Sequence, residues 1–147
     1  MFKKLLIILL AFATTKTFAQ KQTYTSTSSR AIKNLEQALK YYDSRQTTKA
    51  ITEAENAIKA DPGFIEAYML LGDLHADNNN LPAAIEAYKK AVAVNPRFFP
   101  NNLYALGRYE LELGKYDDAL QHFNEFVKME TAKPEKKEEA KNLIASC

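Results

Sequence analysis

Few side chains in this 147-residue chain have the types and spacing that catalysis or metal binding needs. His75 and His122 are far apart in the sequence, and neither an HExxH motif nor a closely spaced pair of cysteines is present. Cys147 is the only cysteine, and no histidine lies near it in the sequence to activate its thiol. We therefore expect no enzyme, no bound metal and no cofactor, and we expect His75 to be packed or half-exposed.

Other polar and glycine residues also give little sign of chemistry. Gly72 and Gly107 lie inside helical patterns, whereas a phosphate-binding loop would place its glycines between a strand and a helix. Glu110 and Glu112 fall on different faces of one predicted helix, so we interpret both as surface residues that promote solubility. Because these residues indicate no catalytic site, the function has to be inferred from the segments of the chain that carry them.

The N-terminus has the composition of an export signal. Two lysines precede nine apolar residues at 5–13, and small residues lie before a predicted cleavage site after Ala19. This predicts a secretory signal peptide over residues 1–19 and a mature chain in the periplasm. Nine apolar residues are fewer than the roughly 20 that span a membrane as a helix. A retained membrane anchor is the alternative.

The charge balance also depends on this leader. The whole chain has a formal charge of +2, and removal of Lys3, Lys4 and Lys16 would bring it to about −1. A nearly neutral chain without a basic helix face gains little from releasing counterions, so nucleic acid is not an expected partner. We also expect no small-molecule substrate and no insertion of the mature form into a membrane.

Residues 20–30 read QKQTYTSTSSR and predict a flexible leader, because they contain few large aliphatic side chains. From residue 31 the apolar residues recur with helical spacing, and the pattern then repeats itself. Ala50, Ala84 and Ala119 follow one another at 34 and 35 residues, and Pro62 and Pro96 are 34 residues apart. This period is typical of arrays of helical hairpins.

The pattern divides the chain into three units at residues 31–64, 65–98 and 100–133. Asn78, Asn79 and Asn80 predict a tight turn inside the second unit, because asparagine tolerates left-handed backbone angles. Pro134 predicts the start of a last helix, over residues 134–147, that caps the array or continues it. This helix reaches Cys147 without a stop signal, which favours a longer protein over a frayed cap. Cys147 could also cross-link two copies of the chain.

These residues resemble the tetratricopeptide repeat family, whose units combine a small residue on the first helix with a small-aromatic-small trio on the second. The matching residues are Leu71-Gly72 and Leu106-Gly107 on first helices, and Ala84, Tyr88, Ala91 and Ala119, Phe123, Phe126 on second helices. Small residues let helices approach closely, and stacked units bury a shared core. The resemblance implies an all-α, right-handed α-solenoid of three helix-turn-helix units plus a C-terminal helix.

The resemblance also implies that first helices line a concave face that binds peptides. The residues at the family's concave positions that we expect to contact a partner are Tyr42, Asp43, Glu66, Met69, Asp73, Asp77, Tyr104 and Arg108. Leu35, Leu39 and Leu111 also fall at such positions, with packing inside the fold as the alternative. Apolar and acidic residues dominate, so a basic or apolar protein segment is the expected partner.

A second resemblance concerns the overall layout. The signal peptide, the leader, the three repeats and the final helix resemble the front end of Bacteroidetes envelope proteins that continue into a WD40-like propeller and an OmpA-type domain. The expected function is a non-enzymatic interaction scaffold of the periplasm, with association to the outer membrane as a further expectation. A structural spacer within a longer protein is the alternative.

Overall fold

A computed structural model describes residues 23–146, which form seven α-helices and no strand. The predicted all-α class is therefore confirmed. The helices are α1 (Ser29–Asp43), α2 (Thr47–Ala60), α3 (Ile65–Asp77), α4 (Leu81–Val94), α5 (Pro100–Glu112), α6 (Tyr116–Lys128) and α7 (Pro134–Ser146). Within the described range no helix is long and apolar enough to cross a membrane. The predicted signal peptide and Cys147 lie outside the described residues.

Consecutive helices pair into three hairpins, α1 with α2, α3 with α4 and α5 with α6. The turns are built alike, because each contains one residue with left-handed backbone angles. These residues are Arg45, Asn79 and Gly114, with φ of 57°, 55° and 71°. In each turn the next N–H donates to a carbonyl five residues earlier, at 2.8 Å. The asparagine turn is confirmed, and Arg45 adopts the same strained geometry without a residue type that favours it.

The first two hairpins also end alike. α2 and α4 are followed by Asp61 and Asn95 in extended backbone conformation. The Asp61 and Asn95 side chains accept the N–H groups of Gly63 and Arg97 at 2.9 and 3.0 Å. The intervening prolines cannot continue a helix. This local geometry turns the chain back into the next hairpin.

Within each hairpin, glycine allows a close approach between the two helices. A Cβ atom at Gly72 would lie 2.6 Å from the Tyr88 ring, and one at Gly107 would lie 2.7 Å from the Phe123 ring. Both distances are shorter than van der Waals contact allows, so the rings occupy the space that a larger residue would need. The predicted pairing of a small residue with an aromatic residue therefore has a direct steric basis.

The segment before α1, residues 23–28, forms what we call the N-terminal strap. The Thr25 hydroxyl accepts the N–H of Ile65 at 3.2 Å, at the start of α3, where Phe64 provides no side-chain cap. Such a cap stabilises a helix by about 1 kcal/mol. The Tyr24 ring lies edge-on to Phe64 at 5.8 Å. These contacts depart from the expected flexible leader, because one tyrosine and one threonine contact residues at the start of α3 that are distant in sequence.

At the other end, α7 packs on α6 and buries Ala140. Phe126 takes the position of Ala57 and Ala91 in the earlier units and is fully buried. Its ring lies 5.4 Å from that of Tyr104. The third unit therefore closes with larger side chains than the first two, as its sequence indicates.

Candidate functional site

Tyrosine and aspartate side chains from all three hairpins meet on one surface. The O–H of Tyr42, on α1, donates to Asp77 on α3 at 2.5 Å. The O–H of Tyr88, on α4, donates to Asp73 on α3. The Tyr109 ring, on α5, lies 6.0 Å from the Tyr88 ring at an interplanar angle of 37°. We call these five residues the tyrosine–aspartate patch.

The electrostatics of the patch show that its members act on one another. The hydrogen bond to Asp77, together with burial, raises the pKa of Tyr42 to about 12. Burial and then the charge of Asp73 raise the pKa of Tyr109. Burial also raises the pKa of Asp73, which the hydrogen bond from Tyr88 opposes. Asp77 and Asp73 thus each accept a hydrogen bond from a tyrosine phenol group.

No cation neutralises these two carboxylates. Among the ion pairs formed by residues 23–146, none includes Asp73 or Asp77. Both aspartates keep part of their side chains exposed at the surface, although the surroundings of Asp73 are partly desolvated. They lie four residues apart on α3, so they project from the same helix face. The patch therefore carries two negative charges toward solvent.

The structure exposes four of the eight predicted contact residues. Asp43, Asp73, Asp77 and Arg108 are exposed, and Tyr42 is half-buried. The patch brings Tyr42, Asp73 and Asp77 together. Met69 is half-buried and packs against core clusters formed by α3, α4 and α5, so part of its side chain serves packing between hairpins.

Glu66 is half-buried, and its carboxylate already has a partner. The backbone N–H of Thr25 donates to one carboxylate oxygen at 2.9 Å, and the Thr25 hydroxyl donates to the other. The N-terminal strap therefore occupies the part of the surface around Glu66. A partner would reach this carboxylate only by displacing the strap.

Tyr104 does not lie in an open groove as expected. It is only 6% exposed, and the ammonium group of Lys136 on α7 lies 4.6 Å from the centre of its ring. Burial and then a nearby Glu139 carboxylate raise the pKa of Tyr104. Helix α7 therefore covers Tyr104, and a partner would reach this side chain only if α7 moved.

The leucines at concave positions follow the alternative interpretation. Leu35 is only 2% exposed and belongs to the core between the first two hairpins. Leu39 and Leu111 are partly buried and pack against the same core and the third hairpin, respectively. These leucines stabilise the array from inside.

Glu110 also differs from its expected place at the surface. Its side chain is completely buried, and its carboxylate lies 2.5 Å from Nδ1 of His122 and 3.4 Å from Nζ of Lys89. The three side chains come from α5, α6 and α4, so they connect the second hairpin to the third. His75 is half-exposed, in agreement with the expectation. No group of three potential metal ligands occurs in residues 23–146.

Tyr88 and Tyr109 are patch residues that the sequence alone does not assign to a site. The repeat pattern predicts Tyr88 only as the aromatic residue of a small-aromatic-small trio. Because its ring packs directly over Gly72, its hydroxyl reaches Asp73, the next residue on α3. The sequence does contain a signal for this hydrogen bond, because Asp73 immediately follows Gly72, the glycine that the Tyr88 ring contacts. Tyr109 follows Arg108, and no local pattern marks it.

Apart from the tyrosine–aspartate patch, the described residues form a groove of about 570 Å³ between α2 and α4, which we call the second groove. Apolar side chains of α3, including Tyr68 and Leu71, line it, and Glu55 and Glu86 are among its charged residues. It shares no residue with the tyrosine–aspartate patch. It therefore provides control positions for experiments on the patch.

The fold defines the chain as a helical-hairpin solenoid with a polar surface assembled from successive first helices. The sequence matches the model of the tetratricopeptide repeat family over residues 35–102 and 104–147. The chain belongs to this family, whose members typically act as non-enzymatic scaffolds for protein–protein interactions. The predicted family and solenoid fold are therefore confirmed.

Curated relatives match only part of the chain and are much longer than it. Anaphase-promoting complex subunit 3 of Schizosaccharomyces pombe is 35% identical over 79 residues, which cover 54% of this chain and 12% of the relative. Protein bimA of Emericella nidulans is 29% identical over 85 residues, which cover 58% of this chain and 10% of the relative. The chain thus spans about a tenth of the length of these relatives.

Solved structures share the fold at low sequence identity. The first repeat domain of Spaghetti (RPAP3), bound to the HSP90 peptide SRMEEVD, has a TM-score of 0.71 at 18% identity, over 81% of this chain and 94% of that chain. The Yersinia enterocolitica secretion chaperone SycD, in complex with a peptide of the translocator YopD, has a TM-score of 0.68 at 16% identity, over 78% and 89%. At such identities the likeness establishes the fold.

Proposed function

We propose that this chain is a periplasmic scaffold that binds a segment of another protein on the surface around the tyrosine–aspartate patch. One observation carries the proposal. Hydrogen bonds from Tyr42 to Asp77 and from Tyr88 to Asp73, and the ring contact between Tyr88 and Tyr109, link the first helices of three successive hairpins across one surface. A surface of this kind offers hydrogen-bonding groups and aromatic rings along an extended path.

Two elements limit this path. At Glu66 the N-terminal strap occupies the surface through Thr25. At Tyr104 helix α7 covers it through Lys136. The segment would therefore lie between these limits, over the ends of α1, α3 and α5. Peptides bound to the structural neighbours RPAP3 and SycD support a peptide as the kind of partner.

The location in the periplasm is supported by the sequence. The lysines and the apolar run at residues 3–13 are typical of an exported precursor. We propose that the partner is another protein of the cell envelope and that the scaffold operates near the outer membrane. The predicted layout, a signal peptide followed by repeats, resembles that of Bacteroidetes envelope proteins and supports this placement.

Co-purification of partner proteins with variants of the proposed binding surface around the tyrosine–aspartate patch, which we call groove variants, tests the proposal. Tyr42→Ala combined with Arg108→Ala removes two solvent-accessible contact residues from the first and third hairpins. We expect this double variant to lose at least about tenfold of the partner captured by the wild-type chain, because tyrosine and arginine are enriched among the few interface residues whose loss costs more than about 1 kcal/mol. Captured proteins are measured by quantitative mass spectrometry after export in the native host.

The matched control is Glu55→Ala combined with Lys90→Ala, which alters exposed residues of the second groove. We expect it to capture as much partner as the wild type. Circular dichroism checks that both variants keep their helices. Equal capture by the groove variant and the control would contradict the proposal and favour a structural spacer.

A further inference from the structure

The most distinctive charge arrangement on the surface is the pair of carboxylates in the tyrosine–aspartate patch. We propose that this patch binds an arginine side chain of the partner segment, with Asp73 and Asp77 as its anionic ligands and the phenol rings beside it. The inference rests on the proposed function and adds the side chain that the partner segment must carry, an arginine.

The geometry leaves acceptor capacity for such a ligand. Tyr88 donates to Oδ1 of Asp73, and Tyr42 donates to Oδ2 of Asp77. Among the described residues, the other oxygen of each carboxylate has no hydrogen-bond donor assigned to it. A carboxylate has about four acceptor sites, and a guanidinium group has five donors in a fixed plane. One guanidinium can therefore donate to both aspartates, which lie one helical turn apart.

Charge complementarity favours this occupant over a neutral or acidic one. Two like charges four residues apart on a helix repel each other, and no cation of residues 23–146 is paired with them. Arg108 acts on Tyr109 through its charge but forms no ion pair with either aspartate. The two carboxylates therefore repel each other until a cation from another molecule binds to them.

The two half-buried tyrosines give the site a preference for arginine. Tyr109 and Tyr42 keep part of their surface accessible beside Asp73 and Asp77, whereas Tyr88 is only 5% exposed and contributes its hydrogen bond to Asp73. A guanidinium group stacks on aromatic faces and is less strongly hydrated than an ammonium group. The Tyr42 and Tyr88 hydroxyls hold the carboxylates in place, so their orientation is set before the ligand binds. We therefore expect arginine to bind more tightly than lysine.

A short peptide tests the inference directly. The probe is N-acetyl-Gly-Arg-Gly-amide, and its neutral counterpart carries citrulline, which has nearly the same shape without the charge. We follow the tyrosine ring signals of the full chain by nuclear magnetic resonance during titration. We expect saturable shifts of the Tyr42, Tyr88 and Tyr109 signals with a Kd on the order of 1 mM, and binding of citrulline at least about tenfold weaker.

Conservative variants separate charge from structure. In Asp73→Asn with Asp77→Asn, each side chain keeps an oxygen that accepts the tyrosine hydrogen bond, so the fold is retained. We expect this variant to bind the arginine probe at least about tenfold more weakly than the wild type. The control Glu55→Gln with Glu86→Gln removes the same amount of charge from the second groove. We expect it to bind the probe like the wild type.

Either of two results would overturn the inference. In one, arginine and citrulline probes shift the same tyrosine signals with equal affinity. In the other, the Asp73→Asn, Asp77→Asn chain binds the arginine probe unchanged. If partner capture still depends on Tyr42 and Arg108, the proposed groove stands while the arginine site fails. If capture does not depend on them, the proposed function fails independently of the probe.

Discussion

Replacing Phe123 by alanine is expected to lower the free energy of unfolding by about 3–5 kcal/mol. Phe123 is fully buried, packs over Gly107 and lies 6.0 Å from the ring of Tyr104. The substitution would leave a cavity between α5 and α6, where the Phe123 ring fills the space above Gly107. Because small domains have a total stability of about 5–15 kcal/mol, the variant should be close to unfolding. Urea denaturation followed by circular dichroism measures the change.

The control for this prediction is Tyr116→Ala. Tyr116 lies on the same helix, and 55% of its surface is exposed. Its replacement should change the free energy of unfolding by about 0.5 kcal/mol or less. If Phe123→Ala lost no more stability than Tyr116→Ala, the proposed aromatic core of the third hairpin would be incorrect.

Replacing His122 by leucine is expected to lower the free energy of unfolding by about 3 kcal/mol, because it leaves a completely buried carboxylate without its nearest hydrogen-bonding partner. The substitution removes the group that lies 2.5 Å from the Glu110 carboxylate. Glu110 is completely buried, so it would retain only the more distant Lys89, whose side chain is 38% exposed. Chemical denaturation near neutral pH measures the loss.

A double variant separates a lost charge partner from poor packing. In Glu110→Leu with His122→Leu, no charge remains in the interior, and buried ion pairs can often be replaced by apolar residues without loss. We expect its stability to lie within about 1 kcal/mol of the wild type. A double variant that is less stable than His122→Leu alone would show that the buried carboxylate itself stabilises the fold.

Much of the fold could be predicted because the repeat period determines local structure. The spacing of Ala50, Ala84 and Ala119 predicted the helical hairpins, and Asn79 adopts the left-handed angles expected of its turn. Gly72 and Gly107 could be placed at helix contacts because only glycine leaves room for the facing ring. Each of these features depends on residues within one unit or at equivalent places in its neighbours.

The features that the sequence did not reveal depend on contacts between distant segments. Thr25 reaches the start of α3, 40 residues away. The burial of Tyr104 requires α7, and the burial of Glu110 requires His122 on the neighbouring helix. No periodic pattern marks such contacts, because each is made by a single side chain. Composition alone therefore suggested a flexible leader and a surface glutamate.

The candidate site was predicted in part for the same reason. The positions of Asp73 and Asp77 in the repeat predict that both contact a partner, and both side chains are exposed on α3. The tyrosines that bind them come from other helices, so their role depended on the tertiary structure. Glu66 and Tyr104 fit the family's pattern equally well, yet the strap and α7 engage them.

Site-specific photo-crosslinking in the native host tests the central claim most directly. A photoreactive phenylalanine analogue is placed at Asp43 or Arg108, which are exposed on the first and third hairpins, and at Glu55 in the second groove. We predict that the two groove positions capture the same partner protein and that Glu55 does not. Capture from Glu55 alone, or equally from all three positions, would contradict a binding groove built by the repeats.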